Sequence, residues 1–122
     1  AALNAADPES EIDMLMGIGA APEGVITATA LRGLNAPFEG RLVFKNEGHR
    51  ERAEKMIEGD IERIWSRDEL CSTDDSLFIG TGVCDGRAKG VEDLGHGSYR
   101  VHSEIIDVNS NNHYFASSIV SR

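Results

Sequence analysis

The chain has 122 residues, 40% of them apolar, and a formal charge of -9. This length fits one domain with a single core, and the charge excludes a nucleic-acid backbone or an anionic membrane surface as main partner, since both need a basic stripe. No run approaches the roughly 18 consecutive apolar residues of a membrane span, and residues 1–7 lack the basic start and apolar core of a signal peptide, so a cytoplasmic protein is expected.

Residues 1–6 are alanine-rich and read as the end of a helix, with a turn at Asp7-Pro8-Glu9-Ser10. Met14, Leu15, Met16 and Ile18 form a short apolar run that fits a fully buried strand, and Gly17 and Gly19 let the backbone turn sharply. Pro22 lacks an N–H and has a φ suited to a first helical turn, so a helix is expected from about Pro22 to near Gly33. A helix that opens behind a glycine turn aims free N–H groups and the positive end of its dipole at one small volume, which suits a phosphate. Glu23 adds a carboxylate to the same turn. Beside a phosphate it can hold one position on a hard divalent cation; alone, it is what the dipole favours in any first helical turn, by about 0.3–1 kcal/mol.

Residues 35–40 read as a loop and residues 41–45 as a strand, so strand, helix and strand at this spacing predict a crossover unit. Asn46 caps a charged helix over residues 47–58 that closes at Gly59, with only Ala53, Met56 and Ile57 on its apolar side. Ile61, Ile64 and Trp65 add a small apolar cluster. Ser66 and Glu69 have the spacing of a capping box, which predicts a short helix through about Cys71. Thr73-Asp74-Asp75 is expected to be a solvated acidic loop.

Residues 77–79 read as another buried strand, followed by a glycine-spaced loop. It is not a phosphate loop, because five residues separate Gly80 from Gly86 and Arg87 follows; Asp85-Gly86 reads as a turn. Residues 99–108 alternate as a strand, residues 109–112 signal a turn, and residues 113–120 return, which predicts a terminal antiparallel hairpin. Cys71 and Cys84 lack metal or redox spacing and are expected to be reduced thiols. His49, His96, His102 and His113 contain no i, i+4 pair and read as surface or hydrogen-bonded groups, not zinc ligands.

The run Gly17-Ile-Gly-Ala-Ala-Pro-Glu-Gly-Val-Ile, then Ala30-Leu-Arg, Gly40-Arg-Leu-Val-Phe, residues 53–56, Gly80-Thr-Gly-Val-Cys-Asp-Gly and residues 97–103, in this order, resembles the class II fructose-1,6-bisphosphatases. The resemblance covers nearly the whole chain but only the C-terminal part of the family's sequence. It implies an α/β fold, a mixed sheet flanked by helices like the C-terminal half of the sugar-phosphatase fold. It also implies Mg²⁺- or Mn²⁺-dependent hydrolysis of the 1-phosphate of fructose 1,6-bisphosphate, with sedoheptulose 1,7-bisphosphate as a second substrate in photosynthetic relatives.

By the same resemblance, Glu23 is a metal ligand and Gly19 and Ala20 line the substrate site. The family usually has glycine at the position of Ala20, whose methyl narrows the approach of a phosphate oxygen to the backbone. Cys84 and Arg87-Ala88-Lys89 depart from the family's pattern, so no site is carried to that loop. The family's other acidic ligands and its sugar-phosphate aspartates lie upstream. The chain is therefore expected to be inactive alone and to need the upstream half as partner, while an apolar face left uncovered would favour a homo-oligomer.

Two other readings remain. One is a non-catalytic module that binds a sugar phosphate or serves in assembly. The other is dinucleotide binding through Gly17-Ile-Gly-Ala-Ala-Pro, where proline replaces the third glycine and Asn46-Glu47 offers an ambiguous ribose partner.

Overall fold

A computed structural model describes residues 1–122. In chain order the elements are α1 (Ala2–Ala5), α2 (Ala21–Gly33), β1 (Glu39–Gly40), α3 (Glu47–Met56), β2 (Trp65–Ser66), α4 (Arg67–Leu70), β3 (Leu77–Thr81), β4 (Glu92–Gly95), β5 (Ser98–Asp107) and β6 (Asn112–Ser121). The class is α/β, as expected. Its strands form a two-stranded and a four-stranded sheet in which every pair is antiparallel.

The expected terminal hairpin is the centre of the larger sheet. β5 pairs with β6 along its whole length, from Ser98↔Ser121 to Asp107↔Asn112. On its other edge, β3 pairs with residues 103–107 and the short β4 with residues 98–100. α2 lies across this sheet. Its small residues Ala30 and Gly33 allow a close approach to Ile106, which is fully buried, and a Cβ on Gly33 would stand 2.3 Å from Ile106 Cγ2. Leu3 of α1 completes this cluster, with Leu34 and Phe78 beside it.

The C-terminal end of α2 is tied to α4 and the loop after it. Arg32 donates to the Cys71 carbonyl at 2.7 Å and to Asp74 Oδ1 through Nε and Nη2, and Arg67 donates to the Ala36 carbonyl at 2.9 Å. Thus Asp74 of the expected solvated loop is an ion-pair partner. α4 carries the predicted capping box, with Ser66 and Glu69 bonding each other's backbone N–H. α3 is capped by the Asn46 side chain and buries no residue, so it is a solvated surface.

Two expected strands do not form. Residues 12–20 form neither helix nor strand, and Met14, Met16 and Ile18 are 75%, 85% and 84% exposed. Residues 41–45 also lack strand pairing; only Glu39–Gly40 just before them bridges Trp65–Ser66. The crossover unit is therefore absent. The physical reason is that a buried strand needs neighbours to satisfy its N–H and C=O groups, and no other strand of this chain lies beside either segment.

One face of the larger sheet is also bare. Phe78 and Ile106 point toward α2, so by alternation Leu77, Ile79, Ile105 and Tyr114 point away from it. Ile105 is paired with both Ile79 and Tyr114. Leu77, Ile79 and Tyr114 are at least half exposed, and no helix of the chain covers them.

Candidate functional site

Gly19, Ala20 and Glu23 come together at the start of α2. The N-cap is Ala20, with extended backbone, and it has no side-chain oxygen to offer the first turn. Its carbonyl accepts from the Gly24 N–H at 3.2 Å, which leaves the N–H groups of Ala21 and Glu23 without an intrahelical acceptor; Pro22 has none. Gly19 folds back beside Glu23, so that a Cβ placed on it would be 3.9 Å from Glu23 Cβ. All three residues are exposed.

This is a surface suited to an anion, with free donors and a positive dipole end, and one carboxylate beside them. Glu23 is a single hard oxygen donor. No group of three or more His, Cys, Asp or Glu side chains in the chain is arranged to hold a metal ion. Mg²⁺ needs near-octahedral oxygen ligation. The chain's own residues therefore fit one corner of a cation site and do not make a whole one.

Two open clefts of the chain lie elsewhere. One, of about 230 Å³, is lined by Arg32, Arg67, Asp68 and Asp74 at the far end of α2, roughly 14 Å along the helix from Glu23. Its arginines are already matched by Asp68 and Asp74. The second, of about 370 Å³, is lined by Asn4, Asp7, Arg87, His113 and Phe115. There Arg87 is engaged by the Glu104 carboxylate and by Asn4 Oδ1 at 2.9 Å, and His113 Nε2 is 2.9 Å from Glu104 Oε1. We place the candidate site at the uncapped helix start and not in either cleft, because neither offers an unpaired cation to a phosphate.

The Arg87 cluster was not legible beforehand, since its members come from α1, a loop and both long strands, and no local motif joins them. The loop that carries Arg87 is folded tightly on itself. Asp85 Oδ1 accepts from the Gly90 N–H at 2.8 Å, which fits the turn expected at Asp85-Gly86. A Cβ on Gly82 would stand 2.4 Å from the Lys89 carbonyl oxygen, which leaves no room for a phosphate in the loop. Cys71 and Cys84 are both free thiols. His102 and His113 are hydrogen-bonded to Glu92 and Glu104, while His49 and His96 are exposed. No helix is long and apolar enough to cross a membrane.

Residues 1–119 match the profile of a family described as bacterial fructose-1,6-bisphosphatase, glpX-encoded. The chain is 44% identical over 112 residues to a D-fructose 1,6-bisphosphatase class 2/sedoheptulose 1,7-bisphosphatase of Synechococcus sp. (strain JA-2-3B'a(2-13)), a match covering 80% of this chain and 32% of the relative. A protein of the same description from Prochlorococcus marinus (strain MIT 9515) is 41% identical over 85 residues, covering 59% of this chain and 26% of the relative. The chain thus spans about a third of the length of the curated relatives it matches.

Proposed function

The chain belongs to the bacterial, glpX-encoded fructose-1,6-bisphosphatase family, and on that premise we propose that it provides one wall of a class II fructose-1,6-bisphosphatase active site. The observation that carries this reading is the start of α2, where the Glu23 carboxylate stands beside N–H groups that no side chain caps. The Ala21 and Glu23 N–H groups bind oxygens of the substrate's phosphate, and Gly19 and Ala20 shape the approach to them. Glu23 supplies one oxygen ligand to a divalent cation, Mg²⁺ or Mn²⁺.

Such cations, when bound, neutralise phosphate charge and lower the pKa of an attacking water. The reaction is hydrolysis of the 1-phosphate of fructose 1,6-bisphosphate, with sedoheptulose 1,7-bisphosphate as a second substrate, as both names of the relatives suggest. The place of such an activity is carbohydrate metabolism in the cytoplasm, in gluconeogenesis.

The remaining ligands belong to the two thirds of the relatives' length that this chain does not span. Two features support a partner of that kind: the unpaired apolar residues Met14, Met16 and Ile18, and the bare sheet face of Leu77, Ile79 and Tyr114. Both are surfaces that a larger fold would cover. The test is phosphate release from fructose 1,6-bisphosphate by the 122-residue chain with Mg²⁺ or Mn²⁺. None is expected; turnover by the chain alone would mean that it completes the site itself.

A further inference from the structure

The buried residues of α2, Ala28, Ala30, Leu31 and Gly33, all lie in its C-terminal half. Glu23 stands in the first turn, about 14 Å along the axis from Arg32. Within this chain α2 is thus seated at one end and carries the candidate site at the other. A helix of this length is nearly straight and stiff, so a change of angle at the seat is delivered to the first turn. A tilt of about 4° moves Glu23 by about 1 Å, and a misplacement of that size at a reacting centre costs up to about a hundredfold in rate.

The apolar seat does not settle that angle. Ala30 and Gly33 meet Ile106 and Leu3 through small apolar surfaces, which set how closely α2 approaches the sheet but are not directional. Directional ties come from Arg32. Its Nη1 donates to the Cys71 carbonyl at 2.7 Å, and its Nε and Nη2 donate to Asp74 Oδ1 at 2.9 and 2.7 Å. Nη1 also stands 3.2 Å from Asp68 Oδ1, which Arg67 Nε holds at 2.8 Å. Arg67 in turn donates to the Ala36 carbonyl from Nη1, and its N–H donates to the Phe38 carbonyl at 2.8 Å. All three nitrogens of one planar guanidinium therefore hold α2 against a peptide carbonyl and two carboxylates of α4 and the loop after it. The Arg32 side chain is only 19% exposed, which strengthens these charge-assisted bonds over the same bonds in open water.

We propose, resting on the bisphosphatase reading of Glu23, that Arg32 is a positioning residue for it. The forked clamp on Cys71, Asp68 and Asp74 sets the direction in which α2 presents the Glu23 carboxylate to a divalent cation and the neighbouring N–H groups to a phosphate. Arg32 touches neither ligand and acts through the axis of the helix.

The test has two readouts. Residual dipolar couplings of the backbone N–H groups of the 122-residue chain give the angle between α2 and β5 with no substrate or metal present. Arg32→Gln is expected to turn α2 by about 4° or more while β5 and β6 keep their mutual orientation. Asp74→Ala removes the acceptor of two of the bonds from an exposed side chain and leaves α2 unaltered. It is expected to turn the helix in the same sense, and it serves if Arg32→Gln fails to fold. The second readout is phosphate release from fructose 1,6-bisphosphate by the chain mixed with the upstream two thirds of the Synechococcus relative. Either variant is expected to raise the Mn²⁺ concentration for half-maximal release at least about tenfold. A purely stabilising role would lower the amount of active complex and leave that concentration where it was. An unturned α2 overturns the proposal, and so does an unchanged Mn²⁺ requirement in an active mixture. No release from the unaltered mixture overturns the bisphosphatase reading, and the role of Arg32 with it.

Discussion

Arg87 holds the buried carboxylate of Glu104 through two of its nitrogens, with Nε at 2.9 Å from Oε2 and Nη2 at 2.6 Å from Oε1. Burial pushes the Glu104 carboxyl up, but hydrogen bonds from Arg87 and then His113 outweigh it and hold it below the ordinary carboxylate value. Removing Arg87 leaves this charge uncompensated. Breaking a buried pair costs about 3–5 kcal/mol, and Arg87 itself is 22% exposed, so Arg87→Met is expected to destabilise the chain by about 2–3 kcal/mol. Adding Glu104→Leu should recover most of that loss, as urea unfolding of the two variants would show.

Acid is expected to weaken the fold over a defined range. Glu92 is held at about 2 by hydrogen bonds from Lys89 and then His102. Glu69 is held at about 2 by Arg63 and then Ser66. Both groups, and Glu104, have folded values below the ordinary 4.5. Their contribution is complete above about 4.5 and is lost as pH falls toward 2. Melting temperature should therefore be steady near neutral pH and drop below about 4.5, with a shallower drop in Glu92→Gln. A melting temperature unchanged to pH 3 would contradict these pairings.

Two glycines of α2 should respond in opposite directions to alanine. At Gly33 the new methyl meets Ile106, and overpacking of that kind costs about 1–3 kcal/mol. At Gly24 nothing lies within 4 Å, so Gly24→Ala should stabilise the helix by about 0.5–1 kcal/mol. Thermal unfolding of the two variants reads the sign directly; stabilisation by Gly33→Ala would mean that α2 sits farther from β5.

What the sequence revealed was local. α2 was legible from Pro22 and Gly33, α3 from Asn46, α4 from the Ser66 and Glu69 capping box, and the terminal hairpin from its alternation around residues 109–112, because each signal is carried by neighbouring residues. Residues 14–18 and 41–45 have the composition of buried strands, but strand formation is decided by a partner distant in sequence. The chain offers them none. β4, interrupted by glycine and a register shift, carried no alternating pattern to find. At the site, Gly19, Ala20 and Glu23 were placed together by three turns of local logic: a glycine bend, a proline start and a first-turn acid. Arg87 and Glu104, seventeen residues apart, had no such signal.

The central claim is that Glu23 and the start of α2 form part of a bisphosphatase site completed by another segment. It is tested most directly by mixing this chain with the separately produced upstream two thirds of the Synechococcus relative and measuring phosphate release from fructose 1,6-bisphosphate with Mn²⁺. Glu23 is exposed, so Glu23→Gln should leave stability within about 1 kcal/mol and serve as a folded control. The account predicts release from the mixture, none from either part, and loss with Glu23→Gln. Release that persists with Glu23→Gln, or a bound mixture that stays inactive, would contradict it.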